Sequence, residues 1–208
     1  MKKSYHKSYI DSINKGLKHS VFYIKNKQID ADSLFSSINI YLKNISKKNN
    51  RIYFFGNGAS SAFANHMALD FSKNGKILSR SLSDSSMLTA LSNDYSYEDA
   101  MVEYLKLQNP KKNDLVVTIS SSGNSENIIR VLKYCKLKSI PALALSGLSD
   151  SNKSIELSHF SIYVPMKTYG MVECIHQIFL HLILDNFMKI KEWNRDTIQN
   201  MNSSNFKL

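Results

Sequence analysis

Cysteine is scarce in this sequence of 208 residues: Cys135 and Cys174 are the only two. They have no zinc-ligand spacing and make no disulfide framework, which fits a reducing, cytoplasmic location. Long hydrophobic runs are missing too. No apolar stretch reaches the roughly 18 residues a spanning helix needs, so no membrane segment is expected. The N-terminus, MKKSYHKSYIDSINKG, has two early lysines but lacks the apolar h-region of a secretory signal. Acidic residues are outnumbered, 17 against 27 lysines and arginines, for a net charge of +10. The basic residues are scattered, with short pairs only at Lys25 and Lys27, Lys47 and Lys48, and Lys111 and Lys112. No recognition motif accompanies them. This argues for a lysine-rich solvated surface rather than nucleic-acid binding, although an anionic substrate would benefit from the field.

What remains is ordinary for a globular domain, with 43% hydrophobic and 21% charged residues. Two helix-like patterns come first. Residues 5–24 place Tyr9, Ile10, Ile13, Leu17, Val21 and Ile24 at helical spacing, and residues 30–46 do so with Leu34, Ile38, Tyr41, Leu42 and Ile45, capped at Asp32 or Ser33. From residue 51 the texture changes to strands alternating with helices. Short apolar strands are predicted at Arg51–Phe55, Lys76–Arg80, Asp114–Ile119, Ser139–Leu145 and Phe160–Val164. The helices between and after them are predicted at Ser60–Lys73, Ser85–Asn93, Tyr97–Leu107, Ser125–Leu137, Ser151–Ser158 and Gly170–Lys191. This order predicts an α/β three-layer sandwich around a five-stranded parallel sheet. The predicted organisation is N-terminal helices over 1–48, the α/β domain over 49–194 and a polar tail over 195–208.

Two strand–turn–helix units carry the chemistry. The more specific is LVVTISSSGNSEN, residues 115–127. Ser120, Ser121, Ser122 and Ser125 surround Gly123 and Asn124 between a strand and a helix. Hydroxyls donate to phosphate oxygens, and a helix N-terminus adds unpaired N–H groups and partial positive charge. Gly123 lets the backbone approach a ligand. The bland alternative is a polar N-cap loop. No Gly-Lys-Ser/Thr follows, which argues against a nucleotide. The other unit is IYFFGNGASSAFANHMALD, residues 52–70. It has Gly-x-Gly, but Ser61 stands where a dinucleotide fingerprint needs its third glycine. On the helix after it, His66 and Asp70 are four apart and share a face, enough for a proton relay or two metal ligands. Alone, a histidine on so apolar a helix is more often a satisfied core residue.

The last helix, GMVECIHQIFLHLILDNF, is apolar nearly all round. Yet Glu173, Gln177 and His181 step by four along it, with His176 on the flank. Burying a carboxylate and an imidazole without a partner is costly, so the stripe marks a site, a solvent face or a subunit interface.

Together these stretches resemble the sugar isomerase (SIS) domain family, most closely its phosphoheptose isomerase branch. The matching text is GNGASSAFANHMALD, LSNDYSYED, ISSSGNSENII and VECIHQIFLH, and the resemblance covers about residues 50–190. It implies the SIS fold, a phosphate held by Ser60, Ser120, Ser121, Ser122 and Ser125, and sugar hydroxyls touched by Asn57 and Asp94. It also implies a catalytic base at Asp70, a second acid/base at His181, and a zinc set of His66, Asp70, Glu173 and His181, one ion per subunit. Members are usually homotetramers with sites at subunit interfaces, which would explain the N-terminal helices. Three positions depart from the family: Asp70 stands for the usual Glu, Glu173 for a frequent Gln, and Gly170 for a frequent Asp.

The implied activity is aldose–ketose isomerisation of a phosphorylated sugar of the heptose 7-phosphate class, for surface-polysaccharide heptose. Asp70 or Glu173 would remove the proton beside the carbonyl, and His181 would move protons on the neighbouring oxygen or carbon. The departures keep two rivals open. One is a non-catalytic SIS module that binds a sugar phosphate or a partner such as a replication initiator. The other is isomerisation of a different sugar phosphate.

Overall fold

The computed structural model describes residues 4–194; the predicted polar tail, 195–208, lies outside the described residues. Helix α1 (Tyr5–His19) is capped by Ser4, whose side chain accepts from Lys7 N. It stops five residues short of the predicted end. Val21 and Ile24 fit helical spacing, but they belong to strand β1 (Val21–Ile24), which pairs antiparallel with β2 (Lys27–Ile29). Lys25 and Asn26 between them both have positive φ, 48° and 63°. Two positive φ values in a two-residue loop are what a tight hairpin demands. Helix α2 (Ala31–Lys47) is capped not by Asp32 or Ser33 but by Asp30, whose Oδ1 accepts from Ser33 N at 2.8 Å.

The βα alternation follows as β3 (Ile52–Gly56), α3 (Ala59–Lys73), β4 (Ser79–Ser81), α4 (Ser85–Asp94), α5 (Tyr97–Leu107), β5 (Leu115–Ser120), α6 (Glu126–Lys138), β6 (Ala142–Gly147), α7 (Lys153–Leu157), β7 (Phe160–Val164) and α8 (Tyr169–Met188). The sheet order is β2-β1-β7-β6-β5-β3-β4. The five expected strands run parallel, and the N-terminal hairpin extends the sheet by pairing β1 antiparallel to β7.

Alternation along the central strands feeds two cores. Phe54, Val117, Ile119 and Leu145 point to the face covered by α2, α3 and α8, meeting Ile38, Phe71, Phe179 and Leu180. Tyr53, Phe55 and Val116 point to the other, meeting Leu105, Ile128 and Leu132 of α5 and α6. Burying one such aromatic or aliphatic side chain contributes about 1.5–3 kcal/mol. Among the described residues no helix is long and apolar enough to cross a membrane.

The chain leaves β3 toward β4 on one side and returns to place β5 on the other. The order therefore switches between β3 and β5, and an open parallel sheet has its ligand crevice at the carboxyl ends of such a pair. Both turns singled out in the sequence emerge there.

Candidate active site

Three segments converge at that crevice: the turn after β3, the serine turn after β5, and the start of α8. They line an open cavity of about 190 Å³ with Asn57, Ser60, Ile119, Ser120, Ser121, Ser122, Ser125, Tyr169 and Glu173.

The serine turn is held from below. Gly123 has φ +63°, and a Cβ there would stand 2.3 Å from Asn152 Oδ1. Its carbonyl accepts from Ser154 N (3.1 Å) and Ser154 Oγ (2.8 Å), while Asn124 Oδ1 accepts from Lys153 N at 3.0 Å. The turn thus rests on the first residues of α7, and of its hydroxyls Ser122 Oγ accepts from Asn124 N at 3.2 Å. Ser125 is the N-cap of α6 yet makes no side-chain cap bond; Ser120 Oγ lies 3.4 Å from its Oγ. Ser121 Oγ is buried without a partner. A partnerless hydroxyl among serines beside a helix N-terminus has the chemistry to receive an anion.

On the other wall, α3 begins so close to β3 that a Cβ on Gly56 would lie 2.4 Å from Ser60 O. Asn57, at the tip of that turn, exchanges two hydrogen bonds of 2.9 Å with Asn127, and its Oδ1 also accepts from Tyr97 Oη at 2.9 Å. Asn57 itself lines the cavity. Neither Asn127 nor Tyr97 stands out from the sequence, although both lie in stretches that carry the family resemblance. Asp94 ends α4, exposed, with Asn93 Nδ2 donating to its Oδ1 at 3.1 Å, and is not among the lining residues.

Farther along α3 and α8, His66 Nε2 lies 3.2 Å from Asp70 Oδ2, and the His66 and His181 rings are 5.4 Å apart. One ligand atom each from His66, Asp70 and His181 falls within 4.8 Å of the others. Two imidazoles and a carboxylate at this spacing are a donor set suited to a divalent ion such as zinc. Asn74 Nδ2 approaches the other Asp70 oxygen at 3.4 Å. Glu173, the remaining member of the predicted zinc set, stands instead on the cavity wall, two turns and about 12 Å up α8 from His181.

His176 is fully buried, and its Nε2 donates to Ser146 O at 3.1 Å. Burial pushes its pKa down to about 4, against the pull of that carbonyl. It is a neutral packing residue between α8 and β6, not a member of the site. Burial likewise pushes the Cys135 thiol up to about 12, so it is inert.

Fold and geometry define an α/β protein with a serine-lined cavity at the switch point of its sheet and, farther along α3 and α8, a cluster of two imidazoles and a carboxylate. Residues 24–147 match the SIS domain. Phosphoheptose isomerase 2 of Campylobacter jejuni is 35% identical over 143 residues, covering 66% of this chain and 70% of that protein. The phosphoheptose isomerase of Aneurinibacillus thermoaerophilus is 36% identical over 140 residues, covering 64% and 70%. The solved phosphoheptose isomerase of Neisseria gonorrhoeae superposes with a TM-score of 0.74 over 89% of this chain and 96% of that one; at 22% identity it speaks to the fold. The chain belongs to the SIS domain family, in its phosphoheptose isomerase branch. It is an enzyme, a sugar-phosphate isomerase of the aldose–ketose type.

Proposed function

We propose that the enzyme interconverts sedoheptulose 7-phosphate and D-glycero-D-manno-heptose 7-phosphate in the cytoplasm, supplying heptose for surface polysaccharide. The observation that carries the reading is the shared cavity: serine hydroxyls suited to a phosphate and the Glu173 carboxylate line the same walls.

In this reading the phosphate lies on Ser120, Ser121, Ser122, Ser125 and Ser60, and Asn57 donates to a sugar hydroxyl. Glu173 takes the proton from the carbon beside the ketone, and the electron pair moves into an enediolate. His181 carries the proton between the two neighbouring oxygens, and Glu173 returns its proton to the adjacent carbon to give the aldose. Asp70 bonds His66 and belongs with the metal-ligating group rather than with the base. A zinc ion held by His66, Asp70 and His181 would supply a Lewis acid for the carbonyl oxygen.

His181 lies about 12 Å along α8 from Glu173. Both groups act on the same two carbons, so the gap calls for a neighbouring subunit that brings its own helices to the cavity. Leu69 (57% exposed), on the helix of His66, and Ile178 (40%) and Leu182 (38%), on the helix of His181, are exposed apolar residues within one turn of those histidines. They support a homotetramer with sites at subunit interfaces, to which α1 adds exposed Tyr5 and Ile10.

The test is direct. Purified protein, with and without added zinc, is incubated with sedoheptulose 7-phosphate and followed by proton NMR. Appearance of the aldose is expected; its absence under both conditions sinks the reading, and turnover of another ketose phosphate would replace the substrate.

A further inference from the structure

Tyr97 is a surface residue with a link into the cavity. It is the first residue of α5 and is 51% exposed, so burial does not hold it. Its Oη lies 2.9 Å from Asn57 Oδ1, and Asn57 lines the cavity.

The direction of every bond in this group follows from one backbone donor. Ile128 N–H can only donate, so the Asn127 atom it meets at 2.9 Å is the amide oxygen. Asn127 Nδ2 then faces Asn57, and the atom that receives it, again at 2.9 Å, is the Asn57 oxygen. The Tyr97 hydroxyl reaches that same oxygen and therefore donates to it. Both lone pairs of Asn57 Oδ1 are taken. On the nitrogen side, one N–H goes to Asn127 Oδ1 at 2.9 Å. Among the described residues the other N–H has no partner.

Contacts at the start of α5 place the phenol. Ser96 caps the helix, its Oγ accepting from Asp99 N at 3.1 Å. The Asp99 carboxylate pairs with Arg130 of α6, whose Nε also meets Glu126 at 3.2 Å. The start of α5 is thus joined to α6 twice, once by this ion pair and once through Asn57, by Tyr97 and Asn127. An exposed ion pair adds little stability, so its part here is geometric.

We infer that Tyr97 is a positioning and specificity-determining residue of the isomerase. By occupying the second lone pair of Asn57 Oδ1, its hydroxyl makes Asn57 a donor-only group, suited to a substrate oxygen that accepts and not to a hydroxyl that must donate. The inference rests on the proposed reading of the cavity as a sugar-phosphate site. Without the phenol, Asn57 Oδ1 regains an acceptor position and the amide loses one of the three hydrogen bonds that fix it. Both the aim and the polarity of the contact then relax.

The experiment compares the parent, Y97F, N57A and the double variant as full chains, with circular dichroism to show that each folds. Phenylalanine keeps the ring and removes only the donor. Initial rates with sedoheptulose 7-phosphate are expected to show KM raised about 3–10-fold in Y97F, what one neutral hydrogen bond contributes, with kcat within about twofold of the parent. N57A is expected to raise KM at least as much. Adding Y97F to N57A is expected to change KM by less than about twofold, because a residue that acts through another has nothing left to act on. N57S takes the place of N57A if that variant does not fold. Parent-like KM in Y97F overturns the inference. So does a Y97F effect equally large in the N57A background, which would make Tyr97 a contact independent of Asn57. If the parent binds the sugar phosphate by calorimetry without converting it, the proposed function fails, and the dissociation constant replaces KM in the same comparison. A parent that neither binds nor converts it defeats the reading of the cavity and the inference with it.

Discussion

Asn57 and Asn127 hydrogen-bond each other in both directions, 2.9 Å each way, across 70 residues of sequence. The pair ties the turn after β3 to the first turn of α6, and so sets the distance between the two walls of the serine-lined cavity. Asn127 Oδ1 also accepts from Ile128 N, leaving the buried amide fully engaged on its oxygen side.

Replacing Asn127 by Leu should therefore cost about 1–3 kcal/mol, because Asn57 loses two bonds inside a half-buried turn. Thermal unfolding should show a midpoint lowered by several degrees. Asn127→Asp, which keeps the acceptor but sets a buried carboxylate oxygen against Asn57 Oδ1, should also be destabilising. Equal midpoints for all three proteins would mean the pair contributes nothing to stability.

Ser121 offers the opposite balance. Its hydroxyl is buried without a partner, so Ser121→Ala removes an unmet group and should leave the ligand-free protein as stable as before, or slightly more so. Phosphate binding should suffer, by about 1.5–3 kcal/mol for a hydrogen bond to a charged oxygen. The thermal shift produced by a saturating sugar phosphate should shrink correspondingly. A variant that loses stability while keeping the full ligand-induced shift would show that the hydroxyl faces the protein, not the ligand.

Glu173→Gln should lower kcat by about 10²–10⁴-fold, the usual worth of a positioned base, with little change in KM. Asp70→Asn should instead lower zinc affinity and kcat together, since in the proposed reading Asp70 is one of the three metal ligands. Rates of aldose formation, measured with zinc supplied in excess, separate the two: added zinc should recover part of the Asp70 defect and none of the Glu173 defect. Retention of full turnover by the Glu173 variant would return the base role to Asp70.

His176 makes stability depend on pH. Its folded-state pKa is about 4, below the ordinary value of 6.5, so the unfolded chain takes up the proton first. Its contribution is fully present above about pH 6.5 and is lost as pH falls toward 4, at about 1.4 kcal/mol per pH unit and about 3 kcal/mol in all. Urea midpoints of the metal-free protein, compared between pH 7 and pH 4.5, should fall more steeply for the parent than for His176→Gln. Parallel slopes would falsify this assignment.

Much of the site is legible in the residues alone. The serine turn is readable because its signal is local: hydroxyls crowded between an apolar strand and a helix leave few other uses. The stripe Glu173–Gln177–His181 is readable because steps of four on an apolar helix are conspicuous. The hairpin at residues 21–29 is not. Val21 and Ile24 satisfy the helical period as well as the strand, and the deciding feature, positive φ at Lys25 and Asn26, belongs to the backbone. Asn127 escapes notice because its partner is on another element, and an asparagine in the first turn of a helix looks like an ordinary polar residue.

By itself, then, the sequence determined the βα order, the parallel sheet and the residue types of the site, since these follow from periodicity and from what hydroxyls, imidazoles and carboxylates can do. Only the tertiary structure decided how they divide. Glu173 and His181 share one face of α8, but helical rise separates them by about 12 Å. Where α3 crosses α8 puts His66 and Asp70 beside His181, leaves Glu173 on the wall of the serine-lined cavity and sets Gln177 against the His181 ring. That division depends on distances between helices, which no spacing within one helix contains.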